Sequence, residues 1–362
     1  MIDYENEKKH IHDKVSNFAN NNREVLKKAK KFKDESNKNI HFVNESHLKL
    51  DMYLADVKIM IITANEIERD TLFAYFSKNS KHHIVKIARK NLVYSFLKIG
   101  NNNVVHIEPA TYGSYTKGGA HQTIMEAVKI VHPSIVISLG VAFGANYEKN
   151  EIGDVLVGQQ HFSYDKATKV SNGTLNIKRL HIVETDEYMI SRFKSNVPTE
   201  DKMEGFLGNE FNVVFGNMVT GEFVVDSIEV RHSIFSPFQL FGIIGGEMEA
   251  YGIFEAVNGH KNTHCILMKG ICDWGAGKNE TFDGEPTIVT DVDMSNKIIV
   301  RTDYNPKNEF QALAMLDACE VCEKLLIKKE MFSDSKNKGI KKRFWRSSLG
   351  KVIKSRIMQD KY

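Results

Sequence analysis

The chain has 362 residues, 42% of them hydrophobic, and a formal net charge of only +3. That length holds one large domain or two modest ones, with enough apolar residues for a full core. No run of 18 or more apolar residues occurs, which argues against a membrane-spanning helix, and the first residues, MIDYENEKKHIHDKV, carry no apolar signal region. The charge is uneven: ten Lys or Arg lie between Lys336 and Lys361 against one acid, Asp360, so the remainder is acidic. Cys265, Cys272, Cys319 and Cys322 are too few for a disulfide scaffold. Cys319 and Cys322 form a C-x-x-C, but inside a segment of helical periodicity and without a second ligand pair, so a structural role is expected and no metal. The cytoplasm fits these features best.

Residues 1–54, rich in Lys and Asn, read as a polar helical extension, with Ile11, Val15 and Phe18, then Val25, Ala29 and Phe32, at helical spacing. From residue 55 to 330 the texture is that of a main domain. VKIMIIT is a continuous apolar run, as buried strands are, and is followed by a helix, ANEIERDTLFAYF, with Leu72, Phe73 and Phe76 inward. Further strands are expected at 92–100, 103–109, 133–140, 153–162, 212–219, 241–246 and 264–270. Helices are expected at 119–131, 186–195, 247–259 and 309–326. Strands alternating with helices of this length indicate an α/β sandwich with a largely buried sheet. Residues 275–306, punctuated by Gly and Pro, read as an inserted loop or small hairpin. The basic tail, 331–362, spaces Trp345, Leu349, Val352, Ile353 and Ile357 as on one helix face. Such a helix suits an anionic membrane surface or a protein partner; with no base-reading motif, nucleic acid is not expected.

Chemistry concentrates in a few ordered segments. GGEMEAYGIFEAVNG leads to HCILMKGICDWG, so that Glu249 precedes Asp273 by 24 residues. Upstream lie TANEIE (63–68), LGVAFG (139–144), EIGDVLVGQQHFSYD (151–165) and MVTGEFVVDS (218–227), then Arg231-His232. Taken one at a time these segments have ordinary readings. Glu247 and Glu249 suit a helix start, where the dipole favours acids; Asp273 suits an N-cap before Trp274; Glu66 and Glu68 suit the first turn of an amphipathic helix.

As an ordered set spanning roughly residues 56–328, they resemble the purine nucleoside phosphorylase / methylthioadenosine nucleosidase superfamily, whose M-E…S-D signature the Met248-Glu249…Cys272-Asp273 pair echoes. The resemblance implies a three-layer α/β/α sandwich with a mixed, partly barrel-like central sheet, usually as a homo-oligomer, acting on a purine nucleoside or nucleotide with no cofactor. It implies that Asp273 protonates the departing base, with Cys272 in place of the usual Ser. Glu249 would hold the 2′ and 3′ hydroxyls, since a carboxylate accepts two parallel hydrogen bonds, and Met248 would cover the ribose face. Glu68 corresponds to the water-activating Glu of the hydrolytic branch. Two carboxylates there repel phosphate and only Arg69 is at hand to bind it, so hydrolysis is expected over phosphorolysis. Gly140, Val141 and Ala142 match the Gly-rich turn beside the substrate, and Val224 or Phe223 the segment that contacts the base. GSYTKGGA (113–120), with Ser114 and Lys117, offers backbone N–H groups and a cation for a 5′ phosphate. Some members of the superfamily deplete nucleotides in bacterial defence, a role the terminal extensions fit. A phosphorylase and a non-catalytic nucleotide sensor are the rival readings.

Overall fold

The computed structural model describes residues 3–78, 83–165, 168–171, 174–177, 181–198, 201–277, 289–292, 298–301 and 306–327. Two helices open the chain: α1 (Tyr4–Asn21), capped by the Asp3 carboxylate, which accepts the Asn6 N–H at 3.1 Å, and α2 (Arg23–Asn39). Then come β1 (Phe42–Glu45), α3 (Leu50–Leu54), β2 (Ile59–Ile62), α4 (Glu66–Ser77), β3 (Ile84–Arg89), β4 (Leu92–Ile99) and β5 (Asn102–Ile107). The middle of the chain supplies α5 (Ala120–Val131), β6 (Ile135–Gly144), β7 (Val155–Ser163), a hairpin of β8 (Thr168–Ser171) and β9 (Thr174–Ile177), β10 (Ile182–Glu184) and α6 (Glu187–Asn196). A short pair, β11 (Met203–Glu204) and β12 (Glu210–Phe211), precedes β13 (Val213–Thr220), α7 (Ile228–Phe235), β14 (Ile243–Glu247), α8 (Ala250–Val257) and β15 (His264–Asp273). A second hairpin, β16 (Val289–Val292) with β17 (Ile298–Arg301), and α9 (Lys307–Ile327) complete the described elements.

The main sheet has 11 strands in the order β1-β3-β4-β5-β2-β6-β14-β13-β7-β10, and β15 pairs with both β6 and β7. Those last pairings close β6, β14, β13, β7 and β15 into a ring, a small barrel from which the remaining strands extend as an open, mixed sheet. The continuous apolar sequence of β2 follows from its position: it lies parallel between β5 and β6, and all four of its residues are buried. Helices cover the sheet on both faces. Along β15, successive side chains alternate sides: Leu267 and Ile271 join Ile253 and Phe254 of α8 in the core, while the intervening Gly270 lies against Ala314 of α9.

Two expected boundaries move. The extension thought to end at residue 54 contributes β1, which pairs in parallel with β3, Phe42 opposite Ile84. Neither strand stands out, because each is short, β1 is only half apolar and β3 is interrupted by Lys86 and Arg89. Residues 1–327 accordingly form one compact unit. The helix expected from residue 247 begins at Ala250, because Glu247 ends β14. The expected insertion at 275–306 contains the β16–β17 hairpin. The rest of it between residues 278 and 305, and the basic tail with its expected helix, lie outside the described residues. No described helix is long and apolar enough to cross a membrane.

Candidate active site

Three segments far apart in sequence meet at one end of the barrel. Asn65 caps α4, its side chain accepting the Glu68 N–H at 3.0 Å, and this turns the Glu68 side chain back toward β6. There Glu68 Oε2 accepts the Ala64 N–H at 2.6 Å and Oε1 accepts the Val141 N–H at 2.9 Å. The carboxylate sits against Gly140 so closely that a Cβ at that position would lie 2.5 Å from Oε1. Residue 140 therefore has no side chain for a contact reason. Burial pushes the Glu68 carboxyl above its ordinary range; the nearby Lys269 ammonium opposes the shift and Glu249 adds to it.

The E-M-E segment divides its labour. Glu247 acts as a helix cap: Oε2 accepts the N–H groups of Glu249 and Ala250, both at 2.8 Å. Burial raises Glu247 to about 7. Glu249, also buried, approaches Lys269 Nζ at 3.6 Å. Lys269 is 1% exposed, on β15, facing Glu68, Glu249 and Glu247. The three carboxylates hold its ammonium well above the ordinary lysine range despite burial. One buried cation thus serves three buried acids, and a buried charge without such partners would cost several kcal/mol, roughly.

Asp273 is the last residue of β15 rather than a loop residue. Between Ile271 and Asp273 the register against β6 slips, so Asp273 pairs with Phe143. A bulge of this kind re-aims a side chain at a strand end. Asp273 Oδ1 accepts the Gly275 N–H at 2.8 Å, and the Cys272 thiol donates to Oδ2 at 3.2 Å. The Cys272 thiol, a weak donor, thus meets Asp273 where the motif it resembles has serine.

Glu68, Glu249 and Asp273 line a single cavity of about 440 Å³. Met248, Val141 and Ala142 form part of its wall, and Phe223 and Val224 form a rim, 45% and 61% exposed. Two larger grooves, of about 910 and 750 Å³, flank β10 and contain none of the three acids. Gly140 adjoins the cavity through Glu68 without lining it. Ser114 and Lys117 do not line it. The Ser114 hydroxyl is already used, donating to the Met248 carbonyl at 3.1 Å and accepting the Gly252 N–H at 3.0 Å. The loop does hold an anion, but an internal one: Glu222 Oε1 accepts the N–H groups of Ser114 and Tyr115, both at 3.0 Å. Lys117 is exposed. Arg69 is drawn away by Glu66, Asp70 and Glu108.

Sequence reasoning missed Lys269, the capping role of Glu247, and the wall residues Asn65, Lys307 and Gln311. Lys269 did leave a trace: an amine within the apolar run HCILMKGIC needs a buried counter-charge.

A ring of five strands set in a mixed sheet, with helices on both faces, defines an α/β sandwich of the nucleoside phosphorylase-like class. Solved structures share it. The 5′-methylthioadenosine/S-adenosylhomocysteine nucleosidase of Neisseria meningitidis, in complex with methylthio-immucillin-A, superposes with a TM-score of 0.53 at 17% identity, over 74% of this chain and 98% of that one. The futalosine hydrolase of Helicobacter pylori gives a TM-score of 0.54 at 15% identity, over 75% and 98%. The corresponding nucleosidase of Colwellia psychrerythraea, in complex with adenine, gives 0.56 at 14%, over 75% and 95%. No family model matches the chain. Among curated proteins it is 23% identical over 250 residues to a death domain-containing ATP nucleosidase of Amphimedon queenslandica. That match covers 64% of this chain and 46% of the relative, so the chain spans about half the relative's length.

Proposed function

We propose that the chain is a purine N-ribosyl hydrolase, which cleaves the N-glycosidic bond of a purine nucleoside or 5′-phosphorylated nucleotide and releases free base. The observation that carries this reading is the convergence of Glu68, Glu249 and Asp273 on one cavity. Its volume lies in the range of roughly 300–1,000 Å³ typical of small-ligand sites. Glycosidic cleavage develops positive charge on the sugar and negative charge on the base. In this reading Asp273 gives a proton to the base as the C1′–N bond breaks. Water forms the new bond to C1′ and passes a proton to Glu68. Glu249, 3.6 Å from Lys269 Nζ, accepts hydrogen bonds from the ribose diol, while Met248 packs on the sugar and Phe223 and Val224 flank the base.

Hydrolysis is favoured over phosphorolysis by charge. A phosphate nucleophile would meet the Glu68 and Glu249 carboxylates, and the nearby guanidinium of Arg69 is already paired. The nucleotide option draws support from the name of the Amphimedon relative; Lys307 and Gln311 of α9 also line the cavity. A homo-oligomeric, cytoplasmic enzyme belongs to the same reading, and light scattering tests the assembly. The main experiment incubates pure protein with purine nucleosides and nucleotides, with and without phosphate, and separates free base by chromatography. Base release without phosphate is expected. Release only with phosphate would make the chain a phosphorylase, and ligand binding without release would refute catalysis.

A further inference from the structure

The N-terminal helix α1 has no part in the chemistry above, yet it packs against both flanks of the segment that carries Asp273. Its inward face repeats at helical spacing through Tyr4, Glu7, Ile11 and Lys14. Ile11 is buried in the same core cluster as Trp274 and Ala276, the residues just beyond Asp273. On one flank, Glu7 Oε1 accepts from Arg231 Nη1 at 2.9 Å, and its other oxygen meets the His232 ring, on which Tyr4 also packs, with centroids 5.3 Å apart. Arg231 is 4% exposed and donates from Nη2 to the Ala145 carbonyl, just after β6. Its side chain lies near Gly275, which has φ +70°: a Cβ built there would meet Phe143 at 3.2 Å, Val225 at 3.3 Å and Arg231 Cδ at 3.6 Å. Gly275 is also the residue whose N–H holds Asp273 Oδ1. On the other flank, Lys14 Nζ lies 5.7 Å from the Trp274 ring centroid and pairs with Glu151 at 2.9 Å. Glu151 belongs to the turn in which the Gly153 N–H donates to the Ile271 carbonyl, just before the β15 bulge.

From these contacts we propose that α1 is a positioning element for the acid Asp273. Glu7 acts through Arg231 on Gly275, and Lys14 acts through Trp274. The kinetic part of this proposal rests on the hydrolase reading; the structural part does not. A carboxyl that must meet one ring nitrogen of a bound base tolerates little drift, since a displacement of about 1 Å can cost about 10²-fold in rate. The bulge that aims Asp273 leaves this segment without a regular ladder, so its support comes from side chains packed around it. Glu7 and Lys14 are positioning residues, because neither touches the cavity.

The test compares the full chain with Glu7→Gln and with Lys14→Met, which keeps an apolar stem on Trp274 and leaves the Glu7–Arg231 pair intact. Hydrogen exchange is followed by mass spectrometry in the peptide spanning Cys272–Gly277 and in β2. Exchange at 272–277 is expected to rise at least tenfold in Glu7→Gln and by a smaller factor in Lys14→Met, with β2 unchanged. With whichever purine substrate releases base in the chromatographic assay, kcat is expected to fall at least fivefold while KM stays within twofold. Unchanged exchange at 272–277 in both variants would overturn the proposal. So would a rise shared equally by β2, which would make α1 a general stabiliser. If the wild-type chain releases no base, the hydrolase reading fails and the exchange result alone decides whether α1 steadies this segment.

Discussion

Gly140→Ala puts one methyl group into the space that Glu68 occupies, and its consequences can be worked out from distances. The new Cβ would lie 2.5, 2.7 and 2.8 Å from Oε1, Cδ and Oε2 of Glu68, where ordinary contact begins at 3.4 Å. The backbone at residue 140 is not in the left-handed region, so alanine meets no conformational barrier there. The carboxylate must therefore retreat by about 1 Å and loosen its bonds from Ala64 and Val141. Overpacking of this kind costs about 1–3 kcal/mol, so the protein should remain folded with a lowered Tm. Displacing a general base by about 1 Å should lower kcat about 10²-fold. The assay is base release under saturating substrate, beside Glu68→Ala and the double variant. Because Glu68→Ala removes the atoms in the way, the double variant should be more stable than the sum of the singles implies, and no slower than Glu68→Ala alone. A Gly140→Ala enzyme within threefold of wild type, or strict additivity in stability, would refute the placement of Glu68 as the base.

Three further outcomes are expected. Asp273→Asn should lower kcat by roughly 10²–10⁴ with circular dichroism unchanged, as loss of a general acid requires; near-normal turnover would end that assignment. Lys269→Met should destabilise the fold by about 3–5 kcal/mol in urea titrations, because it leaves buried carboxylates without their cation. That loss should shrink at acid pH, where the carboxyls bind protons, and Lys269→Arg should be milder. Burial raises Glu247 from an ordinary 4.5 to about 7, so between those values the folded chain keeps a proton that the unfolded chain has released. The stability it contributes is complete below about pH 4.5 and is lost as pH rises through about 7. Glu247→Gln should flatten that slope in thermal melts, leaving the parts due to Asp165, which burial raises to about 6, and to Glu68 and Asp317, which burial also raises; an unchanged slope would count against it.

Much of the sandwich could be read from the sequence, because its signal is periodic and local. β2, β6, β13 and β15 announce themselves as apolar runs, and α5 and α9 by helical spacing. Hidden elements have their cue elsewhere. β1 is four residues, three of them half-buried, whose reason to be extended is β3, about 40 positions away. Glu68, Glu249 and Asp273 could be singled out because their segments follow the order of the motifs they resemble, and the fold brings them to one cavity. What surrounds them could not, since the sequence does not record that a Glu222 carboxylate fills the backbone cradle at Ser114 and Tyr115. That pairing disqualifies the segment whose composition best suited a phosphate. Asp273 likewise falls beyond the strand expected at 264–270, because a bulge changes register without changing residue type.

The charge balance of the site links fold to chemistry. Glu68, Glu247 and Glu249 surround one ammonium, and burial pushes the carboxyls of Glu68 and Glu247 above their ordinary range. Glu247 is the acid best able to hold a proton without cost to catalysis. Its Oε2 is committed to capping α8, and a neutral carboxyl still accepts those two N–H bonds. With Glu247 neutral, Lys269 balances one remaining carboxylate and the other is left in surplus. A surplus negative charge beside the ribose opposes a phosphate nucleophile and stabilises a cationic sugar, as the proposed hydrolysis requires. On this argument, Glu247→Gln should preserve most of kcat and Glu249→Gln should not. Equal losses in the two variants, measured by base release, would show that the pair shares one role and would undo the division of labour.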